Sequence, residues 1–147
     1  MLTFDYGMPS RPSPCDPLDA GHCHPIAPFA MSSDYPILDP AAISGLRELS
    51  PGDDSFLKEI IEIFLEDTPA RINDARSTLA TGDTVAFIRA AHTIKGSCGN
   101  LGAERLRRTA ERIEHDARKN GLVGLEGAVA ELEAEFATAR SALSALL

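Results

Sequence analysis

From Asp39 to the C-terminus, apolar residues return at intervals of three and four with hardly a gap, and this regularity decides what the chain can fold into. The last segment is the clearest case: Leu125, Val129, Leu132, Phe136, Ala139, Leu143 and Leu146 fall on one stripe of a helix over about three heptads. Before it, Leu106, Ala110, Ile113 and Ala117 mark a helix over Ala103 to Lys119, stopped by Asn120 and Gly121. Phe87, Ala91, Ile94, Cys98 and Leu101 mark another, opened by Asp83 and closed by Gly99, Asn100 and Gly102. A long amphipathic segment runs from Asp53 to Leu79 through Leu57, Ile60, Ile61, Phe64, Ile72 and Ala75, with Pro69 expected to kink or break it. Asp39 followed by Pro40 opens a short helix through Ala42, Ile43, Leu46 and Leu49, ended by Ser50, Pro51 and Gly52. No segment alternates with a period of two. The expected fold is all-α, an antiparallel four-helix bundle with the short first helix across one end.

The N-terminal part has a different character. Seven of the ten prolines lie in residues 1–36, among Ser, Asp and isolated apolar residues, so a flexible tail is expected there and a folded domain over 37–147. Met31 is an alternative start. Cys15, His22, Cys23 and His24 do not have the spacing of a structural zinc site, and no metal is expected. MLTFDYGMPSRPSPC has neither a basic start nor an apolar stretch, and no run approaches the roughly 20 apolar residues of a membrane span. A cytoplasmic location is expected. Three cysteines without an export signal argue against a disulfide framework, and Cys98 is read as a small buried apolar residue.

The formal charge of −8 disfavours nucleic acid as a partner. Its distribution is uneven: residues 1–36 carry −3, 37–84 carry −6, 85–119 carry +4 and 120–147 carry −3. One basic segment thus sits in an acidic protein.

Within that segment His92 breaks the pattern. At about 100° per residue it falls roughly 140° from the centre of its helix's apolar stripe, which directs it to solvent. Arg89, Lys95 and Gly96 share its face, with Gly99 a turn further on. Glycine inside a helix costs roughly 1 kcal/mol relative to Ala, so Gly96 and Gly99 need a reason. Missing side chains beside an exposed imidazole let another protein come close, and Lys95 puts a positive charge where an anion would sit. A neutral imidazole is a competent nucleophile at cellular pH, and its phosphoramidate stays reactive enough to pass the group on. The residues therefore point to phosphoryl acceptance. His115, also outside its helix's apolar stripe, is the second choice for the acceptor.

The run Ala91-His92-Thr93-Ile94-Lys95-Gly96-Ser97-Cys98-Gly99-Asn100-Leu101-Gly102 closely resembles the signature of histidine-containing phosphotransfer (HPt) domains. In that signature Ala-His leads into Lys-Gly-Ser and a later Leu-Gly. FLEDTPARI at 64–72 and the Leu-Gly-Ala turn at 101–103 are similar to the same family, so the likeness spans residues 38–146. The resemblance implies that His92 is phosphorylated, that Lys95 helps hold the phosphoryl oxygens and that Gly96 keeps the approach open. It implies response-regulator receiver domains and a hybrid sensor histidine kinase as partners, with Mg²⁺ bound by the receiver and no cofactor in this chain. The +4 segment complements the receiver's acidic pocket. The expected role is a phosphocarrier, not an enzyme, since no nucleotide-binding segment is present. A monomer is expected because a four-helix core uses up the last apolar stripe.

Two other readings weigh less. An inert helical module that binds an acidic partner explains the charge but not the glycines, and an enzyme with His92 as general base lacks a recognisable nucleophile or enclosing cleft.

A departure from the family pattern lies in a second stripe on the fourth helix, Arg107, Glu111, Glu114 and Arg118. Well-known HPt members carry a glutamine at the place of Glu114, hydrogen-bonded to the active histidine. A carboxylate there only accepts, so it would hold the Nδ1 proton and leave Nε2 as the nucleophile. The same charge would favour the imidazolium and repel the phosphoryl group, shortening its stay on His92. The plainer alternative is an exposed Glu114 paired with Arg118.

Overall fold

A computed structural model describes residues 34–147. The cysteines and histidines at 15, 22, 23 and 24, the alternative start at Met31 and nearly all of the expected tail lie outside the described residues. Five helices follow in order: α1 (Pro40–Glu48), α2 (Ser55–Thr81), α3 (Thr84–Leu101), α4 (Glu104–Asn120) and α5 (Ala128–Ser144). Among the described residues there is no strand. Helices α2 to α5 each pack on the next and α5 closes back on α2, while α1 lies against α2 and α3. The expected bundle with a short additional helix is what the chain forms.

Local chemistry sets the helix ends. Asp39 accepts from the Ala41 N–H at 3.0 Å and starts α1 just before Pro40. Asp83 does the same for α3 through Ala86 at 3.0 Å. Gly82 ends α2 in the left-handed region at φ 75°, where its own N–H and that of Asp83 return to Leu79 and Thr78.

Two expectations need correction. Pro69 does not break α2, which is helical on both sides of it. The missing N–H leaves the Leu65 carbonyl without its helical partner, a cost of about 3 kcal/mol in a helix interior. Burial of Leu57, Ile61, Phe64 and Thr68 before Pro69, and of Ile72 and Ala75 after it, holds the two halves as one helix. Gly99 and Asn100 do not end α3 either. That helix runs through both to Leu101, and only Gly102 ends it, at φ 81°. Just ahead of α1, the Arg108 guanidinium lies 4.7 Å from the centre of the Tyr35 ring.

The core is the apolar stripes turned inward. Phe87, Ile94, Leu101, Leu132 and Leu143 are completely shielded from solvent, and Phe64 of α2 meets Phe136 of α5 at 6.0 Å between ring centres. Leu125 is buried although it precedes α5, so the stripe begins in the turn before the helix. Cys98 is buried as expected, and burial pushes its thiol up to about 12, which leaves it inert. No helix among the described residues is long and apolar enough to cross a membrane.

Candidate functional site

The register of α3 is fixed by Ala90, Ala91 and Ile94, all buried, and it turns His92 outward with 62% of its side chain exposed. Arg89 is exposed one turn before it. Gly96 lies one turn after it. A Cβ built on Gly96 would meet nothing within 4 Å, so nothing among the described residues requires glycine there. A Cβ on Gly99 would make only an ordinary 3.7 Å contact with the Arg107 side chain. The helix thus gives up stability at both positions for nothing inside the described fold.

Helix α4 brings the other half of the site. Ile113 and Ala117 sit in the core on either side of Glu114, and their register carries Glu114 to the α3–α4 seam, where it is only 5% exposed. Its Oε1 lies 2.9 Å from His92 Nδ1. The same oxygen accepts from Arg118 Nη2 at 2.9 Å, and Oε2 accepts from the Lys95 ammonium at 2.6 Å. One buried carboxylate therefore faces an imidazole and two permanent cations. Burial alone would raise its pKa, but the hydrogen bonds from Lys95, Arg118 and His92 outweigh that and hold the carboxyl at about 2.

The expected residues meet unevenly. His92, Lys95 and Glu114 come together as one cluster, with Gly96 open beside them. The pair with Arg118 exists, but Glu114 is buried, which removes the reading of an exposed surface carboxylate. Arg107 and Glu111 of the same stripe pair with each other, and Arg107 also pairs with Glu104. His115 is exposed on the edge of an open cleft with Lys95, Glu111, Glu114 and Arg118. Sequence reasoning missed the Lys95–Glu114 ion pair. Spacing along one helix gave a signal for Glu114 and Arg118, whereas Lys95 reaches Glu114 from a different helix.

The depressed carboxyl links the site to stability. Glu114 falls from an ordinary value of 4.5 to about 2, so its contribution is present above 4.5 and is lost as pH falls toward 2. Urea midpoints of wild type and Glu114→Gln are therefore expected to differ at neutral pH and to converge as pH drops through this window. Midpoints that stay equally far apart down to pH 2 would mean the carboxyl is not coupled to folding.

The chain matches the family model described as Hpt domain over residues 59–142. No curated protein sequence matches it. It is similar to the crystal structure of histidine-containing phosphotransfer protein B (HptB) from Pseudomonas aeruginosa PAO1, at 28% identity and a TM-score of 0.68. That match covers 74% of this chain and 92% of the other. The HPT domain of a sensor hybrid histidine kinase from Shewanella shares the fold at 19% identity and a TM-score of 0.59, with 71% of this chain and 91% of that one covered. Since the matched region takes in α3, α4 and most of α2 and α5, with the His92 cluster inside it, the chain belongs to the Hpt domain family of histidine phosphotransfer proteins.

Proposed function

We propose that His92 accepts a phosphoryl group on Nε2 from the aspartyl phosphate of a receiver domain and passes it to the aspartate of another. The observation that carries this reading is the 2.9 Å contact between His92 Nδ1 and Glu114 Oε1. An ionised carboxylate only accepts, so Nδ1 bears the proton and Nε2 keeps its lone pair, on a side chain that is 62% exposed. In the transfer the Nε2 lone pair forms the N–P bond as the P–O bond to aspartate breaks, and the aspartate leaves as a carboxylate. The ring keeps its Nδ1 proton and becomes cationic, a state that Glu114 stabilises from behind. Lys95 supplies a cation for the phosphoryl oxygens, and Gly96 leaves room for the receiver's surface.

In this reading the chain is a carrier that takes its phosphate from a hybrid sensor kinase through receivers. It acts as a cytoplasmic monomer with no cofactor of its own, and Mg²⁺ belongs to the receiver. Incubation with a purified receiver domain, phosphorylated by acetyl phosphate in Mg²⁺ and freed of the reagent, tests it. Acid-labile phosphate should map to the peptide containing His92. Label on any other residue removes the assignment.

Gly96→Val gives a separate check on access. The new Cβ enters open space, so helical content should stay intact, while the branched side chain one turn from His92 obstructs docking. Receiver binding, measured by titration calorimetry, is expected to weaken at least about tenfold, the scale of one lost close contact in an interface. Unimpaired binding would leave the glycine unexplained.

A further inference from the structure

The Lys95 ammonium is already engaged before any phosphate arrives. It pairs with Glu114 Oε2 at 2.6 Å, while Oε1 is shared by His92 and Arg118. Lys95 is one turn from His92 on α3, and its side chain keeps 27% exposure, so its flexible stem reaches both the buried carboxylate and a group placed on the ring. A phosphoryl dianion and a carboxylate then draw on one positive charge. Moving that charge away from a buried carboxylate is costly when nothing replaces it. Here something does: Arg118 binds Oε1 through Nη2 at 2.9 Å and Nε at 3.3 Å.

Resting on the reading of His92 as the acceptor, we propose that Glu114 competes with the phosphoryl group for Lys95, with Arg118 as the cation that stays behind. The cluster thereby sets how far phosphate partitions from a receiver onto His92. Glu114 and Arg118 are positioning residues in this account: Glu114 acts through His92 Nδ1 and through Lys95, Arg118 acts through Glu114, and neither touches phosphorus. The transfer itself conserves charge: neutral His92 and the aspartyl phosphate become phosphohistidine, cationic at the ring, and a free carboxylate. The protons stay where they were, and only the ion pair changes.

The proposal is tested by the equilibrium ratio of phosphohistidine to phosphorylated receiver, using one receiver domain, fixed Mg²⁺ and fixed pH. Glu114→Gln frees Lys95 and should raise the ratio about fivefold, the low end of coupling between interacting sites. In a Lys95→Ala background the same substitution should give no rise, and should lower the ratio as far as the carboxylate stabilised the cationic ring, since there is no ammonium to release. Arg118→Ala, with folding checked by a thermal melt, should lower the ratio when Lys95 is present and have little effect when it is absent. Equal effects in both backgrounds, or no rise in Glu114→Gln, would overturn the competition. Failure of the underlying reading looks different: His92→Gln would then take up label as wild type does. His92-dependent label with additive substitutions removes only the competition between Glu114 and the phosphoryl group, and with it the part played by Arg118.

Discussion

Replacing His92 with Gln is expected to abolish phosphoryl uptake while shifting the melting temperature by no more than about 2 °C. The two halves of this outcome have separate causes. Stability hardly changes because 62% of the side chain is already in water, and its specific contact is with Glu114. A glutamine amide also donates to that oxygen, so the buried carboxylate keeps its two cations and gains a substitute for the ring. Uptake vanishes because an amide nitrogen has no free lone pair to attack phosphorus, and no positioned nucleophile replaces it. His115 is the instructive control. It is exposed and close to the same cleft, but it lacks the carboxylate contact that fixes the tautomer of His92. Radiolabel from a phosphorylated receiver, followed beside a thermal melt, measures both halves at once. Label on the variant above background would transfer the role to His115 or to one of His22 and His24, and a large fall in melting temperature would mean that His92 helps hold α3 to α4.

The bundle was legible in the sequence because a stripe of threes and fours needs only its own helix to be recognised, and four such stripes have few ways to be buried together. His92 was legible for the complementary reason: it sits where the stripe is not. The failures share a cause in tertiary packing. Pro69 reads locally as a break, yet burial on both sides of it outweighs about 3 kcal/mol of lost helix stability. Gly99 and Gly102 look alike as helix enders, but only Gly102 occupies a left-handed position, while Gly99 continues the helix. Glu114 reads as one more charge on a polar stripe. What distinguishes it is the seam with α3, which buries it and brings Lys95 to its second oxygen, and nothing in the spacing of α4 alone reports that contact. The identity of Gly96 was legible as a cost without an internal benefit, and the open space around it shows that nothing among the described residues requires a glycine there.

The largest loss of stability from a single small substitution is expected at Gly102, where Ala should destabilise the fold by about 2–5 kcal/mol. Two effects add. At φ 81° an L-residue meets the left-handed penalty of about 1–2 kcal/mol, whatever space surrounds it. The new methyl group would also lie 2.5 Å from the Cβ of Ala42 and 3.4 Å from the Asp39 carbonyl oxygen, so α1 has to shift, and overpacking of this kind costs about 1–3 kcal/mol. The shift reaches further than α1 itself, because the Asp39 N–H donates to the Gly102 carbonyl at 2.7 Å and this bond ties the start of α1 to the α3–α4 turn. The same turn sets the phase of α4 against α3, and that phase puts Glu114 behind His92. Ala42→Gly separates the two effects, since it removes the side chain that the new methyl group strikes. The double variant should recover the overpacking share and retain the backbone share, leaving a residual loss of about 1–2 kcal/mol in urea unfolding, apart from the helix cost of glycine itself measured in Ala42→Gly alone. Full additivity of the two single losses would mean that α1 already yields at Ala42 without strain, and that the backbone conformation of Gly102 carries the whole effect.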